Sequence, residues 1–127
     1  MNVYPLDPPR LFRVGFETPV LLKDCARLAL APDEQVTFIT ESGKEYDVVR
    51  KDWGFYATPS LNGRLLQFGL HAALVANRQG RFYLVLVERE QEAAFWRYLA
   101  QERLQLVSWL DSTAALARLA RRLWEAR

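Results

Sequence analysis

The segment 35–49 constrains the fold most. Gln35 to Thr40 alternates, with Val36 and Phe38 on one face and Thr37 and Ile39 on the other. Glu41-Ser42-Gly43-Lys44 is a tight turn, and Glu45 to Val49 returns. A period of two interrupted by a glycine turn closes as an antiparallel β-hairpin. The same logic applies to His71–Asn77, with Ala72, Leu74 and Ala76 opposite Ala73 and Val75. Asn77-Arg78-Gln79-Gly80 turns the chain into Phe82–Val87, giving a second hairpin. Phe82–Val87 is apolar on both faces, the pattern expected of a central strand covered on both sides.

Val20–Leu30 also alternates. Val20, Leu22, Ala26, Leu28 and Leu30 share one face, while Lys23, Cys25 and Arg27 share the other. Asp24 interrupts the apolar face, which predicts a bulge or a hydrogen-bonded carboxylate. Residues 1–19 hold Pro5, Pro8, Pro9 and Pro19. Proline removes amide donors and restricts its neighbours, so this stretch is expected to be an extended arm without a long regular element. Leu65–Gly69 fits no single period.

From Glu88 the period changes. Phe95, Trp96 and Leu99 form an apolar stripe at helical spacing, with Glu88, Glu90 and Glu92 before it and Arg103 after it, as the helix dipole favours. Gln105–Leu110 reads as a short edge strand. Asp111-Ser112-Thr113 offers N-caps for a second helix over 114–126, with Leu116, Leu119, Ala120, Leu123 and Trp124 on one face. Strands precede helices, so the expected fold is α+β: an antiparallel sheet of about five strands with two C-terminal helices packed on one face. A length of 127 residues suggests one domain, with an arm (1–19), a strand-rich part (20–87) and a mainly helical part (88–127).

Composition removes several functions. A formal net charge of +2 argues against a dedicated nucleic-acid binder. One cysteine and one histidine do not make a zinc site, and a single cysteine forms no internal disulfide. No cofactor fingerprint or phosphate loop is present, so neither a cofactor nor a metal is expected. No stretch approaches the ~20 apolar residues of a membrane span, and the N-terminus lacks the pattern of a signal peptide. A cytoplasmic protein is the expectation.

The segment 52–64 carries the candidate chemistry. Trp53, Phe55, Tyr56 and Leu61 lie there among Asp52, Asn62 and Arg64, and the segment reads as an aromatic loop. Trp53, Phe55 and Tyr56 with Asn62 and Arg64 could form a ligand- or partner-binding surface of aromatic walls and fixed polar groups. The competing explanation is an apolar cluster folded beneath a long loop. His71 or Asp52 is the candidate acid or base, with a surface or hydrogen-bonded structural role as the default for His71. Cys25, flanked by Lys23 and Arg27, reads as an inert half-buried thiol before it reads as a reactive one. Arg118, Arg121, Arg122 and Arg127 make the last helix basic, with a solvated face as the default. Trp124 and Leu123 need cover near the chain end, which makes them interface candidates.

Lys51–Arg64, Phe68-Gly69 and Gly80–Glu88 together resemble a small bacterial family without an assigned activity, encoded near surface-polysaccharide or nucleotide-sugar genes. The resemblance covers 21–110 and implies an accessory role in the cytoplasm and a sugar-like ligand. It carries no catalytic residue. The resulting expectation is a non-catalytic binding or interaction module that self-associates or meets a protein partner. The alternative is a small enzyme acting on a sugar or nucleotide-sugar through His71 or Asp52.

Overall fold

Both hairpins read from the alternation are present, and they sit in separate sheets. The computed structural model describes residues 1–16 and 19–126. Strands β1 (Asn2–Val14) and β2 (Val20–Ala29) pair as an antiparallel ribbon. Strands β3 (Gln35–Ile39), β4 (Glu45–Lys51) and β5 (Gly54–Ala57) form a three-stranded sheet in that order. A short helix, α1 (Arg64–Gln67), leads into β6 (Leu70–Ala76) and β7 (Phe82–Glu88). Helix α2 (Glu92–Glu102), strand β8 (Gln105–Trp109) and helix α3 (Thr113–Glu125) complete the chain, and the third sheet has the order β7-β6-β8. The chain is α+β with antiparallel sheets and C-terminal helices, as the order of periods predicts. Among the described residues there are eight strands in three sheets where about five in one were expected.

Two compact units divide the chain. One comprises Met1–Phe38 and Asp47–Thr58, the other Ile39–Tyr46 and Pro59–Arg127. They are called here the ribbon unit and the helical unit.

The helical unit has a true core. Leu65, Leu70 and Ala72 cluster with Tyr46, Leu61, Leu86 and Leu110, and Ala73, Val75 and Leu99 cluster with Phe95, Leu106 and Trp109. The central strand is β6, not β7. Its alanines let neighbours approach closely, and Ala72, Ala73 and Val75 are fully inaccessible to solvent. Strand β7 is an edge, and Phe82, Tyr83 and Leu84 are exposed, which corrects the expectation of a covered central strand. Apolar residues on both faces do not by themselves place a strand at the centre of a sheet.

The helices differ in how they are held. Leu99 anchors α2 against the sheet, and Arg103 ends that helix in the left-handed conformation. Ser112 caps α3 as expected, its Oγ accepting from the Ala115 amide at 3.2 Å. Yet α3 contains no fully buried residue: Ala115, Leu116 and Ala120 are half-buried, and the rest of the helix is exposed. Arg127, assigned to the basic helix by the sequence, lies outside the described residues.

The ribbon unit is built differently. The N-terminal segment is not an irregular arm: 13 of its residues form β1 despite three prolines. Proline is tolerated on an edge or at a bulge, and the register shifts between Pro5 and Arg10, where the Asp7–Pro8 peptide is cis. The end of the arm, Glu17 and Thr18, lies outside the described residues. Asp24 meets both predictions made for it. It stands beside the bulge and accepts from Arg10 Nε at 3.0 Å. Among the described residues this unit has no buried apolar side chain, and its one buried residue is the carboxylate Asp47, which accepts from Thr37 Oγ1 at 2.7 Å.

Candidate functional site

The segment 52–64 is not one loop. Asp52 and Trp53 form the two-residue turn of the β4–β5 hairpin, and Gly54 takes up a φ of 149° that favours glycine. Phe55 and Tyr56 lie on β5, opposite Arg50 and Val49. The period of two was hidden in the sequence because β5 is only four residues long. Trp53 is 71% exposed and Phe55 65%, with Tyr56 also exposed, so these rings are neither a lid over a core nor the wall of a closed pocket.

The other two residues of the candidate site belong to the helical unit. Asn62 donates from Nδ2 to Thr113 Oγ1 at 3.1 Å, at the first residue of α3. Arg64 opens α1, where its amide donates to Ser60 Oγ at 2.9 Å and its guanidinium lies over the Phe68 ring at 5.3 Å. Trp53, Phe55 and Tyr56 therefore fall in one compact unit, and Asn62 and Arg64 in the other. The two acid/base candidates are divided in the same way, with Asp52 in the ribbon unit and His71 in the helical unit.

His71 has a partner that the sequence reading did not consider. Its Nδ1 lies 3.2 Å from Asp111 Oδ2, and its ring stacks on Trp109 at 4.0 Å between centroids and 7° between planes. Phe95 and Trp96 surround the same indole. The partner is 40 residues away in sequence, so no motif spacing announces it. The arrangement follows from β8, which carries Trp109 to Ala73 on β6 and delivers Asp111 just beyond. The carboxylate orients the ring, and Nε2 is buried with no hydrogen-bond partner.

Two further features complete the inventory. An open cavity of about 470 Å³ is lined by Asn77, Arg78, Leu99, Ala100, Arg103, Leu104 and Gln105. Glu88 accepts from Thr40 Oγ1 and Ser42 Oγ, both at 2.6 Å, tying the β3–β4 turn to the end of β7. The Ser42 and Thr40 hydroxyls hold the Glu88 carboxyl below its ordinary pKa, assisted by the nearby Lys44. Cys25 is exposed, not half-buried as expected. Among the described residues no cluster of His, Cys, Asp and Glu could hold a metal ion, and no helix is long and apolar enough to cross a membrane.

What the molecule presents most prominently is apolar surface. It lies on β1 and β2, on the β4–β5 hairpin, on edge strand β7, and on α3, where Leu119, Leu123 and Trp124 are exposed. On α3 these residues occupy one face, and Arg118, Arg121 and Arg122 occupy the other. Comparison with protein-family models, with curated proteins and with solved structures finds no match to this chain.

Proposed function

We propose that this chain is a non-catalytic interaction module that self-associates. One observation carries the reading: the ribbon unit has strands of regular alternation but no buried apolar side chain among its described residues. A two-stranded ribbon is marginal by itself in water, and alternation gains nothing unless one face is removed from solvent. Soluble monomers rarely leave large apolar patches uncovered, and the ribbon leaves Val3, Phe12, Leu22 and Leu28 exposed. The exposed edge strand β7 and the uncovered face of α3, with Leu123 and Trp124, point the same way.

The enzymatic alternative has less support. The His71–Asp111 pair has the geometry of an oriented imidazole, but its remaining nitrogen is buried without a partner. A sugar-like ligand rests on the resemblance of residues 51–88 alone.

The reading is tested by sedimentation velocity across a dilution series. A mass that rises with concentration to a defined oligomer is expected. A single monomeric species throughout, with cooperative unfolding that includes the ribbon unit, refutes it.

A further inference from the structure

The two faces of the β1–β2 ribbon are chemically different. Directly opposed residues of an antiparallel pair project to the same side, so the register assigns every paired side chain. One face holds the pairs Val3/Leu28, Pro5/Ala26, Arg10/Asp24, Phe12/Leu22 and Val14/Val20. Its only charges neutralise each other: Arg10 donates to Asp24 and lies over the Phe12 ring at 5.6 Å. The other face holds Asn2/Ala29, Tyr4/Arg27, Leu11/Lys23 and Arg13/Leu21, and the alternation of β2 puts Cys25 on that side. It carries three cations and no acid among its paired residues. The first face has the composition of a sheet interior, yet Val3 is 50% exposed, Leu22 49% and Phe12 47%.

Resting on the self-association read above, we propose that two copies of this chain meet through the Val3–Leu22–Leu28 face of the ribbon, forming a four-stranded sandwich about a two-fold axis. Two considerations select this face and this occupant. An isologous contact places a surface against its own image, so it must contain no uncompensated charge. The apolar face meets that condition through its internal Arg10–Asp24 pair, and the cationic face would repel its copy. A sheet with one apolar face needs a second layer, which an identical ribbon supplies at the normal spacing of packed sheets of ~10 Å.

The test uses the full chain and two thiols. Native Cys25 marks the cationic face, and Leu22→Cys in a Cys25→Ser background marks the apolar one. Maleimide labelling is followed at concentrations where sedimentation shows dimer and then monomer. Cys25 is expected to label freely in both states. The thiol at position 22 is expected to be shielded in the dimer and to become reactive on dilution. A dimer in which position 22 labels as fast as Cys25 overturns this inference and leaves self-association standing. A wild-type chain that is monomeric at every concentration overturns both, whether another protein or a lipid surface then covers the face. As a second arm, Phe12→Glu places a carboxylate in the contact and is expected to raise the dimer Kd by roughly 100-fold or more. Lys23→Glu on the opposite face is expected to leave the dimer intact. Equal effects of the two substitutions contradict the assignment of faces.

Discussion

Leucine-to-alanine substitutions in the two units are expected to differ several-fold in cost, and the difference can be worked from the structure. Leu65 is 0% exposed and packs in a cluster with Leu70, Ala72, Tyr46 and Leu61. Truncation removes about three carbons, worth ~0.8 kcal/mol each in transfer, and leaves a cavity its neighbours fill only partly, so Leu65→Ala is expected to cost about 3–5 kcal/mol. Leu22 keeps half of its surface in solvent and leaves no cavity when truncated. In dilute, monomeric protein, Leu22→Ala is expected to cost about 1 kcal/mol or less. The assay is urea denaturation followed by far-UV circular dichroism, at a concentration where sedimentation shows monomer. At higher concentration the Leu22→Ala cost should grow, because the side chain then lies in an interface. If dilute Leu22→Ala destabilises the chain as much as Leu65→Ala, the ribbon is already buried within one copy and the reasoning fails.

Other outcomes follow from the same geometry. Leu99 lines the open cavity beside Arg78 and Arg103, so Leu99→Ala leaves space that water can enter; its cost is expected near the lower end of such substitutions, about 2–3 kcal/mol, and thermal denaturation against Leu65→Ala gives the comparison. Trp53→Ala removes a ring that is 71% exposed and should shift stability by no more than about 0.5 kcal/mol in the same denaturation assay. Gly69→Ala forces a side chain into a φ of +83° and toward Lys44, and is expected to cost roughly 1–3 kcal/mol in urea denaturation. The Glu88 carboxyl is held below its ordinary pKa by the Ser42 and Thr40 hydroxyls. Its contribution is fully present above the unfolded glutamate pKa of about 4.3 and is lost as pH falls through the lower folded value. Glu88→Gln should flatten that part of the stability–pH curve, measured from about pH 6 downward.

Much of the fold was legible because it follows from local period. The Gln35–Val49 hairpin, the β6–β7 hairpin, the α2 stripe, the β8 edge strand and the Ser112 cap all depend on neighbours within a few residues. Even Asp24 could be read, because a carboxylate on an apolar strand face needs a donor, and Arg10 supplies it. What failed was information carried between distant segments. The prolines of β1 argued against a strand, but pairing with β2 and a bulge accommodate them. Strand β7 has the composition of a central strand, and no local signal says that β6, with its small alanines, takes that place. The His71–Asp111 pair and its stack on Trp109 arise from the β6–β8 register, which periodicity does not encode. The 52–64 segment concealed a four-residue strand behind its glycine and aromatic residues, and two of its polar members, Asn62 and Arg64, fell in the other unit.

Hydrogen–deuterium exchange as a function of protein concentration tests the central claim most directly. Amides of β6, bonded on both sides to β7 and β8 within the core of the helical unit, should show protection that does not depend on concentration. Amides of β1 and β2 should exchange rapidly in dilute protein and become protected as copies associate. Ribbon amides protected to the same degree as β6 at every dilution would contradict the account, because the ribbon would then hold its structure without a second copy.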